Sequence, residues 1–332
     1  SGVMSGTGGL TMTAGTLTLS GANTYTGATT INGGTLTVNG SLSDSTSVAV
    51  ASGATYALGA SDTITALTGA GNVNLNNYTL TLGNATGTYS GVMSGTGGLT
   101  LTAGTLTLSG ANTYSGTSTI GSGVTVTLNS GASLGSGLIV NNGGTVSFGG
   151  TSGSFTLSTL TGSGSLSLGS NSLTISNGSG TYSGALSGTG GLTLNGGTLT
   201  LSGNSTYSGT TSVTGTATLL VTGNLSNSAV SLASGATLSI VGSSSPVSVK
   251  NISGSGTVDV SGSTLVLTGA SGTFSGKIVD PAGDLTISAG SLTLSNVNTY
   301  VGVTTINSGA ALYLTGSGSI ATSSGVVNNG TF

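Results

Sequence analysis

Lys250, Asp259, Lys277, Asp280 and Asp284 lie close together in the last third of the chain, where carboxylates beside ammonium groups could support general acid–base chemistry. The corresponding reaction class would be lyase-like or glycosidase-like cleavage of a polysaccharide, which needs paired carboxylates with basic partners. Two observations weigh against it. Internal alignment puts Lys250 at the position of Thr65 and Asp259 at that of Asn74, both facing outward in the local alternation, so solvated surface side chains are expected. The dipeptide Asp280-Pro281 interrupts the alternation and is expected to be a turn insertion, in preference to a self-cleavage site. Glycine strings such as Gly6-Thr7-Gly8-Gly9 lack the following Lys and helix of a phosphate cradle and are expected to be turns. Calcium-binding nonapeptide repeats need Asp where this chain has Leu or Thr. No catalytic, cofactor-binding or metal-ligating residue is therefore assigned, and the chain is not expected to be an enzyme.

Composition narrows the field further. The 332 residues include 64 Gly but only two basic and five acidic side chains, and no His or Cys. Without His, Cys or Glu, most nucleophiles and general bases are missing. Two cations cannot neutralise a phosphate backbone, which excludes nucleic acid as a partner. The longest apolar run, Ala310 to Leu314, is far short of the roughly 20 residues a membrane-spanning helix needs. The absence of Cys means no disulfide framework, which permits an extracellular setting without requiring one.

Repetition governs the architecture. Residues 1–27 return as residues 90–116 with changes only at Met12/Leu101 and Thr26/Ser115, then again from Ser183 and, more degenerate, from Ser275. Tyr25, Tyr114, Tyr207 and Tyr300 mark four equivalent positions. The expected organisation is one repetitive domain over 1–332, in units 1–89, 90–182, 183–274 and a partial 275–332.

Within each unit, Thr16-Leu17-Thr18-Leu19, Thr35-Leu36-Thr37-Val38 and Val124-Thr125-Val126-Thr127-Leu128 alternate apolar with hydroxyl residues, the period of a half-buried strand. Gly, Asn and Ser clusters bound these runs and supply turns. Scarce aromatics and short, evenly spaced strands favour a solenoid over a propeller or sandwich. The expected fold is an all-β, right-handed parallel β-helix (β-solenoid) of about 15 coils, each of about 22 residues with three short strands. One such coil buries too little to offset its chain entropy, so stability must come from stacking between coils.

The run Gly8-Gly9-Leu10-Thr11, Thr16 through Asn23-Thr24-Tyr25-Thr26-Gly27, then Thr29-Thr30-Ile31-Asn32-Gly33-Gly34-Thr35-Leu36, resembles the autotransporter-associated β-strand repeat of type V secretion passenger domains. The match recurs at Gly97 to Gly116, with Ser205 replacing Asn in the third copy and Ser295-Asn296-Val297-Asn298-Thr299-Tyr300 altering the fourth. The resemblance implies export as an unfolded chain through an outer-membrane barrel and folding outside the cell. It identifies a scaffold and a route rather than an activity.

Together these features lead to a non-enzymatic, extracellular structural or adhesive β-solenoid, a passenger-like stalk or a self-associating fibre component of a bacterial surface. Its expected partners are other copies of itself, head to tail or laterally, and surface glycans or other cells. The competing expectation is a soluble binding module, for ice or carbohydrate, using outward Thr, Ser and Asn ladders. Ice binding needs a Thr-x-Thr pair at one position in successive coils. The pairs Thr16/Thr18, Thr35/Thr37, Thr63/Thr65 and Thr79/Thr81 are unevenly spaced in the sequence.

Overall fold

The computed structural model describes residues 2–150, 153–240, 242 and 246–332, so Ser1 lies outside the described residues. Two compact units are present: residues 1–153 with 164–167, and residues 154–163 with 168–332. Each is a parallel β-solenoid. Among the described residues there are only strands, turns and bends, in line with a composition short of helix formers.

In the first unit, one sheet stacks the strands Leu10–Met12, Thr29–Ile31, Val48–Val50 and Leu67–Gly69, then continues through Thr88–Tyr89, Thr105–Leu108, Thr125–Leu128, Thr145–Phe148 and Ser165–Ser167. A second stacks Thr16–Leu19, Thr35–Val38, Thr55–Leu58, Asn72–Asn74 and Met93–Ser94, and a third begins at Asp62–Ile64. In the second unit, Ser154–Leu157, Ser172–Ile175, Leu192–Leu194 and Thr211–Val213 head one long stack, and Gly197–Leu201, Thr218–Val221, Thr237–Ser239 and Thr257–Asp259 form another. Every one of these pairings is parallel, as winding in one direction requires.

Register gives the coil length. Leu80 pairs with Leu99 and Leu99 with Ser118, nineteen residues apart, while Thr105 pairs with Thr125 and Thr125 with Thr145, twenty apart. The coil is thus shorter than the 22 residues expected, and the chain winds through about 16 turns rather than 15. Turns consume less chain than expected because glycines at positive φ close them tightly. Gly15, Gly104, Gly197 and Gly290 occupy the same place in successive repeats, with φ of 79°, 92°, 68° and 81°. A Cβ on Gly104 would run into the carbonyl of Ala85 in the turn before, so both the dihedral and the space demand glycine.

The alternation then sorts side chains. Leu106, Val126, Val146 and Leu166 form one inward ladder and Leu199, Leu219, Leu238, Val258 and Ile278 another, all fully buried. Each inward side chain is covered by its counterparts above and below, which is how stacking supplies what a lone coil lacks.

Candidate interaction surface

The same alternation that buries leucine turns hydroxyls outward. In the first unit Thr105, Thr125, Thr145 and Ser165 align across four successive turns, and Thr107, Thr127, Ser147 and Ser167 run beside them. Thr63, Thr81, Thr100 and Thr119 form a ladder on a different sheet. In the second unit Thr198, Thr218, Thr237 and Thr257 align and the row ends in Lys277. Strand spacing sets the hydroxyls about 4.8 Å apart along each row, and alternate residues set paired rows about 6.6 Å apart.

Sequence spacing was misleading here. The pairs Thr16/Thr18 and Thr35/Thr37 stack directly in adjacent turns, whereas Thr63 and Thr81 belong to another sheet. Uneven spacing along the chain therefore mixes faces that are regular one by one, and the ladders are more continuous than the sequence suggested.

The repeat motif itself points inward and is structural. Asn112 Oδ1 accepts the Met93 N–H at 2.8 Å from the turn before, and its Nδ2 donates to Ser133 O at 2.8 Å in the turn after. Asn23 and Asn298, its equivalents, make the same three-turn clamp. Ser205, the third-copy replacement, keeps only the amide of Leu186, at 3.2 Å. Two residues on from each clamp stands a buried tyrosine whose hydroxyl meets that of the residue four further along: Tyr25 with Thr29 at 2.6 Å, Tyr114 with Ser118 at 2.7 Å, Tyr207 with Thr211 at 2.5 Å and Tyr300 with Thr304 at 2.7 Å. Burial pushes the Tyr114, Tyr207 and Tyr300 hydroxyls up to about 12.

The charged residues do not converge into an acid–base site. Lys250 and Lys277 are exposed, and Asp259 and Asp284 are half-buried. Lys250 lines an open depression of about 410 Å³ with Ser208, Asn227 and Thr268, while Asp259 and Asp280 line a separate one of about 510 Å³. Asp280 departs from the expectation of a solvated side chain: it is 7% exposed. Its Oδ2 accepts the N–H groups of Gly262 and Ala282, each at 2.9 Å, which draws the carboxylate in beneath the insertion it opens.

Sequence reasoning did not single out Asp44 and Asp62, which lie about 190 residues or more before Lys250. Asp44 is exposed, but Asp62 is buried, accepting the Tyr56 hydroxyl at 2.8 Å and the N–H groups of Leu42 and Thr63 at 3.1 Å. Burial, outweighing those hydrogen bonds, holds its carboxyl above the usual range. The signal available in the sequence was Asp62 at the inward parity of its strand, two residues before Ile64. Among the described residues no group of three or more His, Cys, Asp or Glu side chains gathers as metal ligands would.

Five segments match the family model described as Passenger-associated-transport-repeat: residues 14–38, 103–128, 194–221, 260–294 and 287–310. Each of the first three spans a strand, the Asn/Ser and Tyr clamps or the turn that follows, and the next strand of the stack. No curated protein and no solved structure matches the chain. The matched repeats and the β-solenoid fold fit an autotransporter passenger-like domain; the repeat family is one of secreted or surface-exposed proteins that are typically structural.

Proposed function

Because this chain carries the passenger-associated-transport repeat five times over, we propose that it is a non-enzymatic structural and adhesive element of a bacterial surface. It is exported unfolded, winds outside the cell and acts as a stalk or as a self-associating fibre component. Its coils take the right-handed sense that parallel crossovers favour.

The observation that carries this reading is the outward surface. Rows of uncharged hydroxyls repeat turn after turn in both units, and the few ionisable groups are dispersed. Such a surface makes many weak hydrogen bonds to glycans or to other copies instead of gripping one ligand. Charged gatekeepers that would deter lateral association are scarce, with seven formal charges in the whole chain.

Adhesion is tested by measuring retention of fluorescently labelled chain on glycan-coated and cell-coated surfaces, beside sedimentation velocity of the chain alone. Retention or concentration-dependent assembly supports the proposal. A monomer that is retained nowhere contradicts it.

A second reading, a soluble ice- or carbohydrate-binding module, draws support from the four-turn ladder Thr105–Thr125–Thr145–Ser165 with its companion row. Thermal hysteresis of the purified chain separates the two: a gap between melting and freezing points above that of buffer favours ice binding, and none removes it.

A further inference from the structure

Lys250 stands opposite an irregularity in the second unit. Leu225 pairs with Val249 and Ala229 with Asn251, so Ser226, Asn227 and Ser228 together span the place where the next turn has Lys250 alone. A bulge of this kind bends its strand and re-aims the side chains around it, and bulges are over-represented beside active sites. This one also joins turns that are not neighbours. The Thr268 N–H donates to Val249 O at 3.0 Å, as expected of the following turn, while the Thr268 hydroxyl donates to Ser226 O at 2.7 Å, past the strand that carries Lys250.

The lysine stem is positioned by the same turn. Gly269 N–H donates to Lys250 O at 2.8 Å, and a Cβ on Gly269 would lie 3.4 Å from Lys250 Cγ and 3.8 Å from Cε, so the stem runs along this glycine. Ser208, Ser226, Asn227, Lys250, Thr268 and Gly269 line the open depression of about 410 Å³. Each of them is polar or glycine, and no carboxylate is among them. Asn227 Nδ2 donates to Thr206 O at 3.3 Å, which orients the amide and leaves Oδ1 to accept. One ammonium ringed by hydroxyls and a carboxamide matches a sugar that carries a carboxylate. The ammonium takes the carboxylate in a charge-assisted hydrogen bond, and the neutral groups both donate to and accept from ring hydroxyls.

We propose that this depression binds a uronate unit of an acidic polysaccharide, with Lys250 Nζ on the carboxylate. The proposal rests on the reading that the outward surface meets glycans, and it adds one charged contact that selects acidic chains over neutral ones.

The test is retention of the full chain on immobilised polygalacturonate, beside the same polymer with its carboxylates methyl-esterified. Expected are saturable retention on the acid form, binding to the ester weaker by about tenfold or more, as loss of a charge-assisted hydrogen bond implies, and release from the acid form as salt is raised. Lys250→Met, which keeps most of the stem, is expected to lower retention on the acid form to that on the ester. Lys250→Arg, which keeps the charge, and Lys277→Met, outside the depression, are expected to retain the wild-type preference. Equal wild-type retention on acid and ester, or an unchanged preference in Lys250→Met, overturns the proposal and leaves the broader glycan reading standing. Retention on neither polymer overturns both. The comparison of the two polymers uses the wild-type chain, so it decides the matter even should Lys250→Met fail to fold.

Discussion

Asn112 Oδ1 accepts the backbone N–H of Met93 at 2.8 Å, so one side chain holds the turn before its own while its amide holds the turn after. The most recognisable residue of the repeat is therefore a brace between coils. Its recurrence at Asn23 and Asn298 explains why the motif persists where the intervening sequence drifts.

Replacing Asn112 by alanine should leave the buried Met93 N–H without its partner and the half-buried Ser133 carbonyl without the Asn112 amide. A loss of about 2–4 kcal/mol is expected, read as a lower midpoint in urea unfolding. Asn112→Ser should cost less, because Ser205 occupies the equivalent place and still receives an amide. Equal losses for the two variants would remove the brace from the account.

Gly104→Ala combines a φ of 92° with collision against the Ala85 carbonyl. Destabilisation of more than about 1 kcal/mol is expected. Gly53→Ala is the control, since its φ of 83° carries the dihedral penalty with open space around the Cβ. If the control loses as much stability as Gly104→Ala, close approach of coils is not what fixes the glycine.

Asp62 has its carboxyl raised by burial in the folded chain, against three hydrogen bonds that oppose the shift. A raised folded value means the contribution to stability is full below the unfolded value near 3.8 and is lost as pH rises through the folded value. The chain should thus gain stability on acidification through this window. Asp62→Asn should remove that component, since an amide can still accept from Leu42 and Thr63 and donate to the Tyr56 oxygen. Melting curves from pH 7 to pH 3 check this, and an identical pH profile in the variant would contradict it.

Tyr114, Tyr207 and Tyr300 should resist ionisation until about pH 12, well above the ordinary 10. Their contribution is full below the unfolded value and disappears as pH rises through the folded one, which predicts alkaline unfolding coupled to tyrosinate absorbance. Absorbance that rises smoothly around pH 10 while the strand circular dichroism signal persists would show the hydroxyls to be accessible.

Much of this fold was legible because period two and the long repeat act on every coil. Leu106 and Val126 had to point inward and Thr105 and Thr125 outward once the strands stacked in register. Coil length was less legible, since glycines such as Gly104 close turns more tightly than composition alone reveals. The surface ladders were obscured for a geometric reason: Thr16 and Thr63 lie in different sheets, and linear spacing does not distinguish faces. Asp280 looked like a loop residue, and it does begin a turn, but the Gly262 amide that draws it inward belongs to a different coil. Asp62 was hidden likewise, its partner Leu42 lying twenty residues earlier.

The central claim is a structural chain whose uncharged outward rows associate by many weak contacts. Sedimentation velocity over a wide range of concentrations, at low and high salt, combined with electron microscopy of the same samples, tests it most directly. The prediction is reversible, concentration-dependent assembly that salt barely changes, because so few charges are available to screen, with filaments showing a repeat of about 4.8 Å. A chain that stays monomeric at every concentration, or whose assembly dissolves as salt is raised, would contradict the account.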